Sequence, residues 1–291
     1  MTAPISLTDG KLTADQVQNY WDDGFLFPIP VVSPNEAKAW RAELEALEAK
    51  WLDNGLPLPL NTYKRVNSNV VMELSARISA DPRILDVIEG IIGPNILVYG
   101  AEYFIKEPRT PQIVSMHQDL TYWGLGATSG MVTMWLALSE VNRASGCMDF
   151  VRASHKNPIL PHEDTFDDNN LLSRGQEIAV DVRPEDKTAI EISPGQISLH
   201  HGLTIHGSGP NSSDDRRIGF VVRYVSPDVA QEVGDRDYAM LVRGEDTQRN
   251  LIHFDPPQSD FDADSLRLYD EIRAAQAQIM MRGTTNKGIY G

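Results

Sequence analysis

From residue 96 onward the chain breaks into short runs rich in β-branched and aromatic residues, punctuated by Gly, Pro and Asn, and this texture leaves few folds open. The runs cover residues 96–106, 113–120, 131–138, 147–152, 178–182, 189–192, 196–200 and 217–225. About eight short strands at this spacing predict a sandwich or barrel. The preceding stretch reads as helical. Ser33-Pro34-Asn35-Glu36 is a helix start: Ser33 caps, Pro34 suits the first turn, and Glu36 completes a capping box. Ala39, Trp40, Leu44, Leu47 and Trp51 then share one stripe. Shorter helices are expected over 14–22, ending at Gly24, and over 82–91, closed by Gly93-Pro94. A last helix is expected over 265–281. We find no repeat and no long linker. The expected organisation is one domain over 1–291, with a helical part about 12–95, a β core about 96–226 and a C-terminal extension about 227–291.

A content of 41% hydrophobic and 23% charged residues is that of a globular protein. A net charge of −15 sets the chain against nucleic acid and anionic membrane as partners. The single cysteine, Cys147, excludes an internal disulfide and lies in an apolar run, where an inert buried thiol is expected. The N-terminus has no basic start followed by an apolar stretch, and no segment is long and apolar enough to span a bilayer. A cytoplasmic protein is expected.

Chemistry is sought in histidines paired with a carboxylate. Two imidazoles and one carboxylate on one face of a metal, with the other positions open, are what a mononuclear Fe(II) oxygenase requires. His-x-Asp on a strand offers two of these, since residues i and i+2 project to one side. The chain holds three such pairs: His117/Asp119, His162/Asp164 and His253/Asp255. The first lies in a strand-like run followed by Tyr122-Trp123. The second sits in an acidic loop with no expected strand beside it, and nothing after the third can supply another imidazole. His200, His201 and His206 compete as the remote ligand. Arg217, eleven residues beyond His206, opens a strand and can grip a carboxylate through two hydrogen bonds, whereas the same step from His200 or His201 reaches Asn211 or Ser212. His206 is therefore preferred, with His200 and His201 closing the strand or lining the rim.

These residues resemble the phytanoyl-CoA dioxygenase family of Fe(II)/2-oxoglutarate oxygenases. The matching segments, in the family's order, are 116–119 (Met-His-Gln-Asp), 133–138 (Thr-Met-Trp-Leu-Ala-Leu), 145–148, 154–156 and 206–211 (His-Gly-Ser-Gly-Pro-Asn) through Arg217. The opening Leu12-Thr13 through Leu26 is similar to the family's N-terminal helix and first strand, so the resemblance runs from about Leu12 to Tyr224. It implies a double-stranded β-helix (a jelly roll, cupin-like) with helices on one side. It implies His117, Asp119 and His206 as iron ligands and Arg217 on the distal carboxylate of 2-oxoglutarate, with Ser208, Trp135 and Lys106 nearby. It also implies O2 as co-substrate and ascorbate as a reductant. Where the family reads Pro-Gly-Ser-His, this chain has Arg152-Ala153-Ser154-His155, and His155 is expected in a turn. Asp119 stands where related halogenases carry a small residue, which points to hydroxylation.

Strand parity puts Arg217, Gly219, Val221 and Arg223 on one face. Arg223 would then offer an inward cation for a small polar, zwitterionic or anionic substrate. Tyr103, Tyr122 and Trp123 are expected at the mouth of the pocket. No basic cluster suits the phosphates of an acyl-CoA. The competing expectation is a non-catalytic jelly-roll protein that binds a metal or small molecule. Oligomerisation is left open.

Overall fold

The computed structural model describes residues 2–121, 123–165, 169–172, 175–179 and 182–281. In chain order its helices and strands are α1 (Ala14–Asp23), β1 (Phe25–Pro30), α2 (Pro34–Trp51), α3 (Leu60–Arg65), α4 (Ser68–Val71), α5 (Glu73–Ser79), α6 (Pro82–Ile92), β2 (Ile96–Lys106), β3 (Val114–His117), β4 (Met131–Ala137) and β5 (Met148–Val151). There follow β6 (His162–Asp164), β7 (Gln176–Ile178), β8 (Lys187–Ile190), β9 (Gln196–His201), β10 (His206–Ser208), β11 (Arg217–Val225), β12 (Tyr238–Arg243), β13 (Ile252–His253) and α7 (Ala263–Met280). The expected caps are in place. Ser33 and Glu36 form the capping box of α2, Gly24 closes α1 in the left-handed region, and Gly93 ends α6. On α2, Ala37 is buried with Leu44 and Leu47, whereas Ala39 of the expected stripe is exposed.

Seven strands form one sheet in the order β1-β9-β4-β11-β2-β12-β13, and four form a second in the order β3-β10-β5-β8. Apart from the parallel β12–β13 pair, the pairings are antiparallel. The large sheet is covered on one face by the helices, and its other face packs on the small sheet. Alternation along β11 makes both contacts at once. Ile218, Phe220, Val222 and Tyr224 enter the core shared with the helices, while Arg217, Gly219, Val221 and Arg223 face the small sheet. Trp135, Val221, Phe150, Met148 and Ile190 join the two sheets by an apolar seam. This is the expected jelly roll.

The same alternation corrects one expectation. On β2, Glu102, Phe104 and Lys106 face the space between the sheets, so Tyr103 faces away. It is fully buried among the helix-facing residues, with its hydroxyl against Ser75 Oγ at 3.2 Å. Tyr103 is a core residue and does not reach the pocket.

Three further boundaries differ. β3 stops at His117, and Asp119 opens a 3₁₀ turn over Asp119–Thr121. His162 lies in a two-stranded ribbon, β6–β7, where a loop is expected. The run expected over 178–182 pairs instead over Gln176–Ile178, and residues 180 and 181 lie outside the described residues.

Gly219 shows how tightly the sheets meet. A Cβ there would stand 1.9 Å from Cζ2 of Trp135. Gly219→Ala is expected to destabilise the protein by about 1–3 kcal/mol through overpacking, read as a lowered urea midpoint with an unchanged slope.

Candidate metal centre and its two chambers

Three donors converge between the sheets. His117 and His206 are register partners across β3 and β10, and their rings lie 4.2 Å apart, centroid to centroid. Each ring is fixed by its own backbone: Nδ1 of His117 donates to the Ser115 carbonyl at 2.9 Å, and Nδ1 of His206 to the Thr204 carbonyl at 2.9 Å. With those protons on Nδ1, both Nε2 lone pairs face the gap. Asp119 completes the set, its Oδ1 lying 3.4 Å from Nε2 of His117 and 3.8 Å from Nε2 of His206. One donor atom from each residue falls within 4.8 Å of the others, and all three residues are buried.

The electrostatics prepare these groups as ligands. Burial alone would raise the carboxyl of Asp119, but its contacts with His117 and His200 and the charge of Arg223 outweigh burial and hold it well below the usual range. Burial, with His117 and His200 close by, holds His206 well below the ordinary imidazole value, so the ring stays neutral. Thr133 Oγ1 donates to Asp119 Oδ2 at 2.8 Å, which leaves Oδ1 toward the histidines. Both donors from the first segment, His117 and Asp119, flank Gln118, which anchors them. Its side chain donates to the Leu203 carbonyl at 2.9 Å and accepts from the Leu160 amide at 2.8 Å, and its own amide donates to Nε2 of His162 at 3.1 Å.

Sequence reasoning missed Thr133 and Gln118, since neither belongs to a titratable motif. His200 and His201 close β9 as expected, and His200 also lines the cavity beside the triad, with Nε2 3.4 Å from Asp119 Oδ2. His201, next along β9, points the opposite way, toward Trp21 and His155. His155 sits in the expected turn and bonds the Trp21 carbonyl. His253 pairs with Asp246, away from the triad. Cys147 is buried and its thiol is pushed up to about 11 by desolvation, as an inert thiol should be.

The triad divides two chambers. The deep one is lined by Trp135, Ser208 and Arg217, the outer one by Tyr99, Glu102 and Trp123; His117, Asp119, Phe104 and Arg223 border both. Trp123 is therefore at the outer chamber as expected, whereas Tyr122 lies outside the described residues. At the deep end Arg217 and Lys106 are neighbours across β11 and β2, both buried. Arg217 lies over Trp135, 5.4 Å from the ring centre, and donates to the Gly146 carbonyl, while its Nε has no partner. Lys106 donates to Ser208 Oγ at 2.7 Å and to the carbonyls of Ser208 and Gly209. Desolvation lowers Arg217 to about 10, and desolvation with the charge of Arg217 lowers Lys106 to about 6. Among the described residues neither has a carboxylate partner. Arg223 faces inward as expected, but it is largely buried in an ion pair with Glu102 and stacked on Trp123, 3.9 Å from the ring centre, so it is not the free cation expected for an anionic substrate.

The chain matches the phytanoyl-CoA dioxygenase (PhyH) family over residues 20–219, more than half its length. It belongs to the phytanoyl-CoA dioxygenase family. Among relatives, the peroxisomal phytanoyl-CoA dioxygenase of Rattus norvegicus is 25% identical over 244 residues, 77% of this chain and 71% of that one. A protein of Stutzerimonas stutzeri named as a probable alpha-ketoglutarate-dependent hypophosphite dioxygenase is 27% identical over 172 residues, 57% of this chain and 59% of that one. A solved structure described as the non-heme monooxygenase ThoJ, apo, superposes with a TM-score of 0.82 at 31% identity, covering 91% of this chain and 97% of that one. These likenesses set the family member among oxidoreductases built on non-haem iron.

Lys106 yields a prediction independent of any ligand. Its folded value of about 6 lies below the ordinary lysine range, so between the two the unfolded chain binds more protons than the folded one. The penalty is full below about pH 6 and fades as pH rises. The stability of the wild type relative to Lys106→Met should therefore increase from pH 6.5 to 9, measured by urea unfolding at each pH.

Proposed function

We propose that the chain is an Fe(II)- and 2-oxoglutarate-dependent dioxygenase that hydroxylates a small polar or anionic metabolite with release of succinate and CO2. The observation that carries this reading is the position of the donor triad between a chamber that ends at the buried Arg217 and a second chamber beyond it. Three protein donors of the two-imidazole, one-carboxylate type suit Fe(II) and leave coordination positions open. A structural metal site is usually closed by protein ligands, so the non-catalytic binding protein fits less well.

In this reading His117, Asp119 and His206 would hold the iron, and bound iron with 2-oxoglutarate and O2 would supply the oxidising power. The deep chamber takes the co-substrate. Arg217, whose Nε lacks a partner, and Lys106 with Ser208 offer a dicarboxylate's far end charge-assisted hydrogen bonds. Trp135 holds the guanidinium flat and excludes water. The outer chamber takes the substrate, so the triad lies between the two. The cations at that chamber, Arg65 and Arg223, are both engaged by protein groups, which supports a small substrate over a coenzyme A ester. The bacterial relative named for hypophosphite, a small anion, supports the same size class.

The C-terminal helix contributes Gln276 and Met280 to the outer chamber, which supports reading 1–291 as one catalytic domain. No helix among the described residues is long and apolar enough to cross a membrane, and the setting we propose is the cytoplasm.

The test begins under anaerobic conditions with Fe(II), ascorbate and 2-oxoglutarate, followed by O2. Succinate should form slowly without substrate, and His206→Ala should abolish it. No succinate from the wild type, and no Fe(II)–2-oxoglutarate charge-transfer band, would overturn the assignment. Arg217→Met should weaken 2-oxoglutarate binding about 100-fold, the loss of a charge-assisted hydrogen-bond pair. Affinity should also fall as pH rises above about 6 in the wild type, because a bound dianion favours the protonated form of Lys106; Lys106→Met should flatten that profile.

A further inference from the structure

The outer chamber contains a charge pair that the chemistry of iron and 2-oxoglutarate does not use. Glu102 and Arg223 project from β2 and β11 into it, with side chains 11% and 12% exposed, so they meet the chamber and little bulk water. Among the described residues the Nε–H of Arg223 has no acceptor. Other polar side chains at the chamber are tied to one another. Asn67 Nδ2 donates to Gln276 Oε1 at 2.7 Å, Gln276 Nε2 donates to Asp237 Oδ1 at 3.3 Å, and the Tyr99 hydroxyl donates to Asp237 Oδ2 at 2.6 Å. Arg65, the other cation at this chamber, donates to the Leu171 carbonyl and lies over the Phe104 ring, which leaves recognition of charge to the Glu102–Arg223 pair.

We infer that this pair selects a small zwitterion, its anionic end on Arg223 and its cationic end on Glu102; the inference rests on the oxygenase reading above and names its substrate class. A ligand bearing only an anion would take Arg223 and leave Glu102 buried and unpaired. A ligand bearing only a cation would do the reverse. Each desolvated, unpaired charge costs several kcal/mol. A zwitterion inserts between the two and leaves no charge uncompensated, so the pair acts against singly charged competitors as well as for the right one. Arg223 borders both chambers beside Asp119, so a zwitterion anchored there keeps its carbon skeleton next to the triad.

The test titrates the anaerobic protein–Fe(II)–2-oxoglutarate complex and reads the perturbation of its charge-transfer band. Three matched sets are used: free amino acids with their N-trimethyl betaines, the corresponding N-acetyl amino acids, and the corresponding methyl esters. At least one zwitterion should bind, with its acetyl and ester counterparts weaker by about 30-fold or more, the scale of losing one partner of a buried charge pair. Glu102→Gln should bring the acetyl compound close to the zwitterion, and Arg223→Gln should do the same for the ester. Equal binding of the counterparts by the wild type, or no response to any zwitterion while the band itself forms, would show the pair to be structural and overturn the inference. Failure of the band to form would instead remove the oxygenase reading, and this inference with it.

Discussion

Two basic side chains buried side by side, with no carboxylate partner among the described residues, are the constraint around which this fold is arranged. Arg217 and Lys106 meet across β11 and β2 at the closed end of the space between the sheets. Burial works against both charges, as their lowered pKa values record. A fold that only needed stability would place apolar residues there, since a buried uncompensated charge is among the costlier things it can contain. The arrangement is intelligible if an anion belongs in that chamber. The packing makes room for one: Gly219 lets the Trp135 ring lie against β11, and the ring in turn supports the guanidinium.

From that end outward, strand parity sets the order of the chemistry. Antiparallel pairing of β2 with β11 places Lys106 opposite Arg217 at the floor and brings Glu102 and Arg223 together at the mouth, about 13 Å further along β2 and about 20 Å further along β11 at 3.3 Å per residue. The triad sits between them, on a different set of chain segments. His117 and His206 become neighbours only because β3 and β10 pair in that register, and Asp119 joins them from the turn after β3. Rigid backbone anchors at both imidazoles leave little to be reorganised when a metal arrives.

Much of this was legible in the sequence. Helix caps depend on residues three positions apart, so Ser33-Pro34-Asn35-Glu36 and Gly24 could be placed locally. The alternation in β11 separated inward from outward residues correctly, and the spacing from His206 to Arg217 chose a histidine that lies with His117 and Asp119. What failed depended on partners remote in sequence. Tyr103 looked like a pocket aromatic until pairing fixed the phase of β2. Glu102 drew no attention because its partner lies 121 residues away. Strand β10 is three residues long, too short for any periodicity to show. Thr133 acts through one hydrogen bond to Asp119, and Gln118 through several to remote segments, and no pattern announces either.

In the function proposed above, three protein donors would hold a metal whose remaining positions are open to a co-substrate anchored by Arg217. Crystals soaked anaerobically with Fe(II) and 2-oxoglutarate, with anomalous scattering recorded at the iron edge, test it most directly. One iron peak should stand about 2.1 Å from Nε2 of His117 and Nε2 of His206, bonded also to Asp119, with density for 2-oxoglutarate running to Arg217. A peak elsewhere, or one closed by His200 as a fourth protein ligand with no co-substrate, would contradict it.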